Sequence, residues 1–285
     1  SWSALQVIRD DGDRVCGNPA PVVDAITGTI HLLSTWNLGE DHESEIIDGT
    51  SKDTRRVFVL SSSDDGLSWT EPLEITASVK PENWTWYATG PCHGIQLTRG
   101  SARGRLVIPC DHIEAGTKRY YSHVICSDDH GKSWTLGGAT PQDQVNECTV
   151  AELPGGRLIL NMRNYDRSQK SRKVAFSDDG GITWGAIRPD TSLIEPICQA
   201  SMLSVFLRDG HRLYFLNPAH EDQRQNITLR TSLDQAKSWP ESKLLHAGPG
   251  AYSDLTLMGN GKLGFLIEAG YSSPYEGIVF VEIPL

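Results

Sequence analysis

The chain has 285 residues and a formal net charge of −10, from 26 Lys and Arg against 36 Asp and Glu. That balance offers no basic surface for a nucleic acid, so DNA and RNA are excluded as partners. No apolar run approaches the roughly 20 residues of a membrane-spanning helix, so we expect no membrane span. An anionic substrate would need a local cluster of Arg or Lys.

Short strand-like runs dominate the chain. Each is six to eight residues long, rich in Val, Ile, Leu and Phe, and flanked by residues typical of turns. In chain order they are RRVFVLS (55–61), GRLVIPC (104–110), SHVICS (122–127), GRLILNM (156–162), RKVAFS (172–177), HRLYFLN (211–217), NITLRTS (226–232), GKLGFLIE (261–268) and GIVFVEI (277–283). No segment shows helical periodicity over three turns, so the sequence predicts an all-β protein.

A repeated phrase narrows the fold. SSSDDGLSWT returns as CSDDHGKSWT and FSDDGGITWG, and more faintly as TSLDQAKSWP. The closing tryptophans Trp69, Trp134, Trp184 and Trp239 are separated by 50 to 65 residues, and Trp2 resembles the end of a further copy. Repeats of this length with several short strands each favour the blades of a β-propeller. A β-sandwich or a two-domain β protein is the alternative.

The acid of the repeated phrase is interpreted as scaffold. The four copies place Asp64, Asp129, Asp179 and Asp234 after a Ser, and three of them continue with a Gly before the Trp. Ser and Asp side chains bond nearby backbone N–H groups in turns, while the Trp anchors the turn to a sheet. A calcium loop is the rival interpretation, but the spacing differs from that of an EF-hand.

The cysteines provide no metal site. None of the six belongs to a C-x-x-C pair, so a zinc site is poorly supported, and we predict neither a metal nor a cofactor. Their even number is compatible with disulfides, and buried thiols are the alternative. They are Cys16, Cys92, Cys110, Cys126, Cys148 and Cys198.

The repeat and the segments between its copies resemble the sialidases, six-bladed Asp-box propellers that remove terminal sialic acid. The matching segments are CGNPAPVVDAITGTIHLL, ATGPCHGIQL, NECTVAELPGGRLILNMRN, LNPAHEDQRQNITLR and GPGAYSDLTL, in the family's order. The resemblance covers essentially the whole chain and implies one propeller domain over residues 1–285. It also implies a retaining exo-α-sialidase that acts on sialylated glycoproteins, glycolipids or oligosaccharides.

The resemblance assigns four residues to the chemistry. Tyr252 matches the family's nucleophile, and Glu147 matches the base that activates it. A phenol suits this role because a carboxylate attacking beside the substrate's own carboxylate would be repelled. Arg163 and Arg224 match two of the family's three arginines, whose guanidinium groups bind that carboxylate in a bidentate manner.

Further contacts are implied around the sugar. Asn18 aligns with a position near the acyl-amino group, although a turn residue before Pro19 is the alternative. Asp111 and His112 fall where the family lines the glycerol pocket, and a loop histidine with satisfied hydrogen bonds is the alternative for His112. The aromatic run NWTWYATG suggests either a pocket rim or core packing. Glu268 matches an acid that supports the site indirectly.

The family's N-terminal R-I-P segment has no match here. That segment carries the first arginine and is followed by the acid/base Asp. Six four-stranded blades of about 50 to 60 residues each need more than 285 residues. We therefore expect about 50 to 70 residues of the family pattern to be outside this sequence. We therefore expect an incomplete first blade, completed by another stretch of chain or a separate N-terminal fragment. The alternatives to an enzyme are a catalytically silent sialic-acid-binding propeller and an interaction scaffold. An exported protein is favoured by family analogy, with a lysosomal one as the alternative.

Overall fold

The computed structural model describes residues 2–285 as consecutive antiparallel sheets. The first sheet contains β1 (Val15–Asp24), β2 (Thr29–Asn37), β3 (Arg56–Ser62) and β4 (Leu73–Glu74). The second contains β5 (Trp84–Thr89), β6 (Ile95–Gln96), β7 (Leu106–Glu114), β8 (Tyr120–Ser127) and β9 (Thr135–Ala139). The third contains β10 (Val145–Glu152), β11 (Leu158–Asn164), β12 (Ser171–Ser177) and β13 (Arg188–Ile194).

The fourth sheet is the largest. It contains β14 (Ser201–Leu207), β15 (Gly210–Pro218), β16 (Gln225–Ser232), β17 (Glu241–Leu257), β18 (Lys262–Ala269) and β19 (Ile278–Pro284). The long β17 pairs with β16 through its first part and with β18 from Gly250 onward. The two short helices are α1 (Glu43–Asp48), between β2 and β3, and α2 (Thr76–Val79), before β5.

The hydrophobic core lies between successive sheets. One cluster joins Leu33 and Val59 of the first sheet to Ile108 of the second, and the next joins Val124 of the second to Leu160 of the third. A third cluster joins the third sheet to the fourth, and the last joins the two parts of the fourth. Sheets that pack face to face in chain order form a propeller, because each one covers the apolar face of its neighbour.

The all-β class and the propeller are therefore confirmed, whereas the six expected blades are not. Residues 2–285 form four sheets, the last of them six-stranded. All nine strand-like runs of the sequence lie on strands of the structure. The six cysteines are all free thiols, and five of them are buried. In this part of the chain, no helix is long and apolar enough to cross a membrane.

The repeated phrase forms the same turn four times, between β3 and β4, β8 and β9, β12 and β13, and β16 and β17. In the first copy, the backbone N–H of Gly66 donates to Ser62 Oγ at 2.9 Å, and that of Ser68 donates to Asp64 Oδ1 at 2.9 Å. The later copies repeat these bonds through Asp129, Asp179 and Asp234. Each Asp accepts hydrogen bonds from its own turn, as a scaffold residue does.

The N-terminal segment crosses from the first sheet to the last. Arg9 stacks its guanidinium on Phe58 of β3, with Cζ 4.1 Å from the ring centroid. Trp2 packs edge-to-face on Phe280 of β19, with ring centroids 5.3 Å apart. Trp2 therefore contacts the last sheet through its ring.

Candidate active site

A cavity of about 310 Å³ is lined by residues from all four sheets. Its wall includes Asn18 of β1, Trp86 of β5, Glu147 of β10 and Tyr252 of β17. Each of these residues lies in a β-bulge, where the register of the strand with its neighbour shifts. A bulge turns a side chain away from its regular face. The four bulges therefore direct side chains from distant parts of the chain into one cavity.

A hydrogen-bonded triad spans the third and fourth sheets. The Tyr252 hydroxyl donates a short hydrogen bond to Glu147 Oε1. Arg163 Nη1 donates to Glu147 Oε2 at 2.6 Å and lies 3.4 Å from the Tyr252 hydroxyl. The Arg163 and Glu147 side chains are only 13% and 8% exposed, so the pair is largely shielded from water. Along the chain, Tyr252 is 89 positions from Arg163 and 105 positions from Glu147.

The charges of the triad define its resting state. Burial raises the pKa of Tyr252, the charge of Glu147 raises it further, and Arg163 acts in the opposite direction. Burial tends to lower the pKa of Arg163, but Glu147, Tyr165 and Tyr252 outweigh it and the pKa is raised. The resting site therefore holds a neutral phenol, with a guanidinium and a carboxylate within hydrogen-bond reach of it.

Arg224 lies close to the Tyr252 ring. Its Cζ is 5.6 Å from the Tyr252 ring centroid, and its Nη1 and Nη2 donate to the Tyr275 hydroxyl at 2.7 Å and to the Ile197 carbonyl at 3.1 Å. Arg224 and Arg163 both line the cavity. The structure thus brings together, close to Tyr252, the two arginines that the sequence analysis singled out.

Asp111 lies deep in the cavity wall and is 1% exposed. Its Oδ2 accepts a hydrogen bond from Asn146 Nδ2 at 2.8 Å, while its Oδ1 has no hydrogen-bond partner within residues 2–285. Burial raises its pKa well above the ordinary range, and the charge of Glu147 adds to this effect. A raised pKa favours the protonated carboxyl group, which is the form that is able to donate a hydrogen bond.

His112, the next residue of β7, does not line the cavity. Its ring stacks on Trp84, with centroids 3.3 Å apart, and its Nδ1 lies 3.0 Å from His123 Nδ1. Burial lowers the pKa of His112 to about 3, so the ring is neutral. Successive strand residues point to opposite faces, which places His112 behind the wall that Asp111 forms.

The sequence analysis considered the aromatic run and Glu268 for the site, but it did not identify the wall residues Tyr120 and Tyr165. Of the aromatic run, Trp86 lines the cavity, whereas Trp84 and Tyr87 are buried in the core. Tyr120 and Tyr165, which stack at 5.1 Å, also line it, and no spacing in the sequence brings them together. Glu268 supports the site from behind, because its Oε2 accepts a hydrogen bond from the backbone N–H of Tyr252 at 3.1 Å.

Comparison with known proteins places this geometry in context. The BNR repeat-like domain family matches residues 1–265. An exo-alpha-sialidase of Aspergillus fumigatus is 32% identical over 300 residues, covering 97% of this chain and 68% of that protein. A sialidase of Micromonospora viridifaciens is 33% identical, covering 90% of this chain and 41% of that protein. The solved structure of the Hadza microbial sialidase Hz136 matches with a TM-score of 0.87 and 30% identity, over 100% of this chain and 57% of that one. The chain thus spans about two fifths to two thirds of the length of these relatives.

Proposed function

The chain belongs to the sialidase family of BNR repeat-like proteins, and from this premise we propose that it is an exo-α-sialidase that releases terminal α-linked sialic acid from glycoconjugates. The observation that carries the proposal is the Tyr252–Glu147–Arg163 triad, with Arg224 next to the tyrosine ring. The substrates would be sialylated glycoproteins, glycolipids or oligosaccharides.

Two arginines provide the binding energy for an anionic sugar. Arg163 and Arg224 flank the position where the substrate's carboxylate would lie, and the planar guanidinium groups suit bidentate contact with it. Their charge also offsets the repulsion that a net charge of −10 would exert on an anion. On the other side of the cavity, Asn18 and Asp111 would contact the acyl-amino and glycerol groups. His112 would support that wall from behind.

The phenol is the nucleophile in the proposed reaction. As Tyr252 attacks the anomeric carbon, Glu147 accepts the phenolic proton across their hydrogen bond. The glycosidic carbon–oxygen bond breaks, and the departing oxygen takes a proton from a general acid. Water then attacks the anomeric carbon of the glycosyl–tyrosine intermediate and gives a proton to the conjugate base of the general acid, while the bond from that carbon to the phenolic oxygen breaks and Glu147 returns its proton to that oxygen. Two displacements at the same carbon retain its configuration.

The remaining groups of the family's mechanism lie outside these 285 residues in our proposal. The resemblance assigns the general acid and the first arginine to the R-I-P segment, which has no match here. General acid catalysis typically contributes roughly 10² to 10⁴-fold. Full activity therefore requires that segment, from the same chain or from a separate fragment.

The test is a Tyr252→Phe variant of the full-length protein, assayed by release of a fluorogenic group from an α-sialoside. Loss of the nucleophile should lower kcat by about 10³-fold or more. Tyr214→Phe, at a buried tyrosine of the fourth-sheet core, is the matched control and should retain activity. Undiminished turnover by Tyr252→Phe would contradict the mechanism. A wild-type protein that binds sialic acid without turnover would instead support the silent binding propeller.

A further inference from the structure

Arg55 is a buried cation next to the cavity. It immediately precedes β3, its Cζ lies 4.0 Å from the Trp86 ring centroid, and the residue is 4% exposed. Its Nε donates to the Tyr87 carbonyl at 3.1 Å, and its Nη1 donates to Asn37 Oδ1 at 2.9 Å. Its Nη2 donates to Asn18 Oδ1 at 2.5 Å and to Thr35 Oγ1 at 2.7 Å. Five side-chain or backbone groups therefore hold one guanidinium in place.

The charge of Arg55 is not neutralised by an ion pair. Within residues 2–285, no carboxylate lies within 4.0 Å of its nitrogens, and all of its hydrogen-bond acceptors are neutral oxygens. Burial lowers the pKa of Arg55 to about 10, which still leaves it charged at neutral pH. Removing a cation from water without a counter-charge is costly, so a purely structural role would be better served by an apolar side chain.

This contact determines which way the Asn18 side chain faces. A guanidinium has only donors, so the Asn18 atom that it contacts must be the amide oxygen. The Thr35 hydroxyl also contacts Asn18 Oδ1, at 3.1 Å. The Asn18 backbone is held as well: its φ is +52°, and its carbonyl accepts from Thr89 Oγ1 at 2.5 Å. Asn18 Nδ2, in contrast, has no hydrogen-bond partner among the described residues, and Asn18 lines the cavity.

We propose that Arg55 is a positioning residue that holds Asn18 with its amide NH₂ toward the substrate, so that the site selects a hydrogen-bond acceptor at this point. The inference rests on the proposed function. In sialic acid the acceptor would be the carbonyl oxygen of the acyl-amino group. A ligand with a hydroxyl group in place of the acylamide lacks this carbonyl oxygen, and its hydroxyl can both donate and accept, so its binding would depend less on the Asn18 NH₂.

The first test is Asn18→Asp, which exchanges a single group. A carboxylate keeps both oxygen contacts with Arg55 and Thr35 and adds an ion pair, whereas the NH₂ that faces the cavity becomes an oxygen. The thermal midpoint should therefore be maintained or raised, while Asn18→Leu, which loses both contacts, should lower it. This comparison needs no ligand. An Asn18→Asp protein as unstable as Asn18→Leu would overturn the assigned orientation.

The second test measures binding by calorimetry with two probes, the 2,3-unsaturated analogue of N-acetylneuraminic acid and its 5-hydroxy counterpart. Asn18→Asp should lower the affinity for the N-acetyl probe by about tenfold or more. The affinity for the 5-hydroxy probe should change much less. An equal effect on both probes, or none, would overturn the inference. Failure of both probes to bind the wild-type protein would count against the proposed function instead, and the stability comparison would still decide the orientation.

The role of Arg55 itself is tested by a double-mutant cycle. Arg55→Met should lower the affinity for the N-acetyl probe by about tenfold when Asn18 is present, and should change that affinity little in an Asn18→Ala background. The matched control is Arg172→Met. Arg172 is also fully buried and donates to Asn161 Oδ1 at 2.7 Å and to the Cys198 carbonyl at 2.6 Å, with Glu195 at 3.7 Å, but it does not line the cavity. The control should lose stability without discriminating between the probes. An equal loss for Arg55→Met in both backgrounds would contradict the positioning role.

Discussion

Tyr252 and Asp111 both have a raised pKa in the cavity, for the same physical reasons. Burial raises the pKa of each, and the negative charge of Glu147 raises both further. Tyr252 differs because its proton already lies on a hydrogen bond to Glu147. In the proposed mechanism, Glu147 therefore takes the proton of Tyr252, the residue that attacks.

Asp111 should destabilise the protein as the pH rises. Its folded pKa is above the ordinary value of 3.8, so from about pH 4 upward the unfolded chain releases a proton that the folded chain keeps. The stability that this group contributes is complete below pH 4 and is lost as the pH increases toward the folded pKa. Asp111→Asn, which has no proton to release, should have a higher thermal midpoint than the wild type at pH 7 and a similar one at pH 3.5.

Asp64→Asn is the control, because the pKa of Asp64 is shifted in the opposite direction and its stability contribution changes with pH in the opposite sense. Hydrogen bonds, chiefly from the Ser68 hydroxyl, lower the pKa of Asp64 to about 2, so its charged form stabilises the fold above the ordinary pKa. That contribution is lost as the pH falls toward 2. Asp64→Asn should therefore lower the thermal midpoint at pH 7 and make less difference near pH 2.5. The same pH trend for both variants would contradict the opposite environments of the two carboxyl groups.

At the scale of the element, the four repeated turns share one conformation and differ at one position, where the fourth turn has an alanine in place of glycine. Three copies place a glycine at the position whose N–H bonds the Ser hydroxyl, and the fourth has Ala236 there. The φ angle is +82° at Gly66 and +63° at Ala236. An L-residue with a side chain is strained in this left-handed region, whereas glycine is not. The fourth turn therefore retains the hydrogen bonds of the motif at the cost of backbone strain.

Ala236→Gly should stabilise the protein by about 0.5 to 1 kcal/mol, because the relief of strain exceeds the added freedom of the unfolded chain. Urea unfolding would measure the change. Gly66→Ala is the matched reverse substitution: the added Cβ would lie 3.7 Å from the Trp69 ring, an ordinary contact, so only the backbone strain should count. It should destabilise by a similar amount. A stabilising Gly66→Ala would show that the left-handed conformation is not what governs this turn.

The strands that line the cavity share a second feature, a β-bulge, which the sequence did not reveal. Strands β1, β5, β10 and β17 each contain a bulge at the residue that enters the cavity. Two of these strands, with the sequences VCGNPAPVVD and VNECTVAE, include polar residues or prolines and lack the apolar pattern of the predicted runs. Bulges depend on pairing with a neighbouring strand, so residue type alone does not indicate them.

At the scale of the whole molecule, stability comes from apolar contacts between sheets. Leu33, from β2, is fully buried in the cluster shared by the first and second sheets. Leu33→Ala should destabilise the protein by about 2 to 5 kcal/mol, through lost burial and the cavity that remains. Chemical denaturation would measure it, with Leu67→Ala, at a side chain 78% exposed, as the control that should change little. A small effect of Leu33→Ala would mean that the first two sheets do not depend on each other for stability.

Much of the architecture could be predicted because its signals are local. Apolar runs bounded by turn residues identified nine strands, and the repeated phrase marked four equivalent turns, since both patterns depend on neighbouring residues. The number of blades was not settled in this way. The expectation was six, whereas residues 2–285 form four sheets, with β17 long enough to belong to both parts of the last one.

By itself, the sequence determined the all-β class, the propeller and, through resemblance, the candidate residues Glu147, Arg163, Arg224 and Tyr252. Only the tertiary structure decided which atoms meet: the Tyr252 hydroxyl with Glu147, His112 behind the wall and Arg55 next to Trp86. The physical reason is that strand formation and turn geometry depend on residues close in sequence. The contacts, burial and charges that govern the cavity arise between residues from different sheets, which become neighbours only when those sheets pack around a common centre.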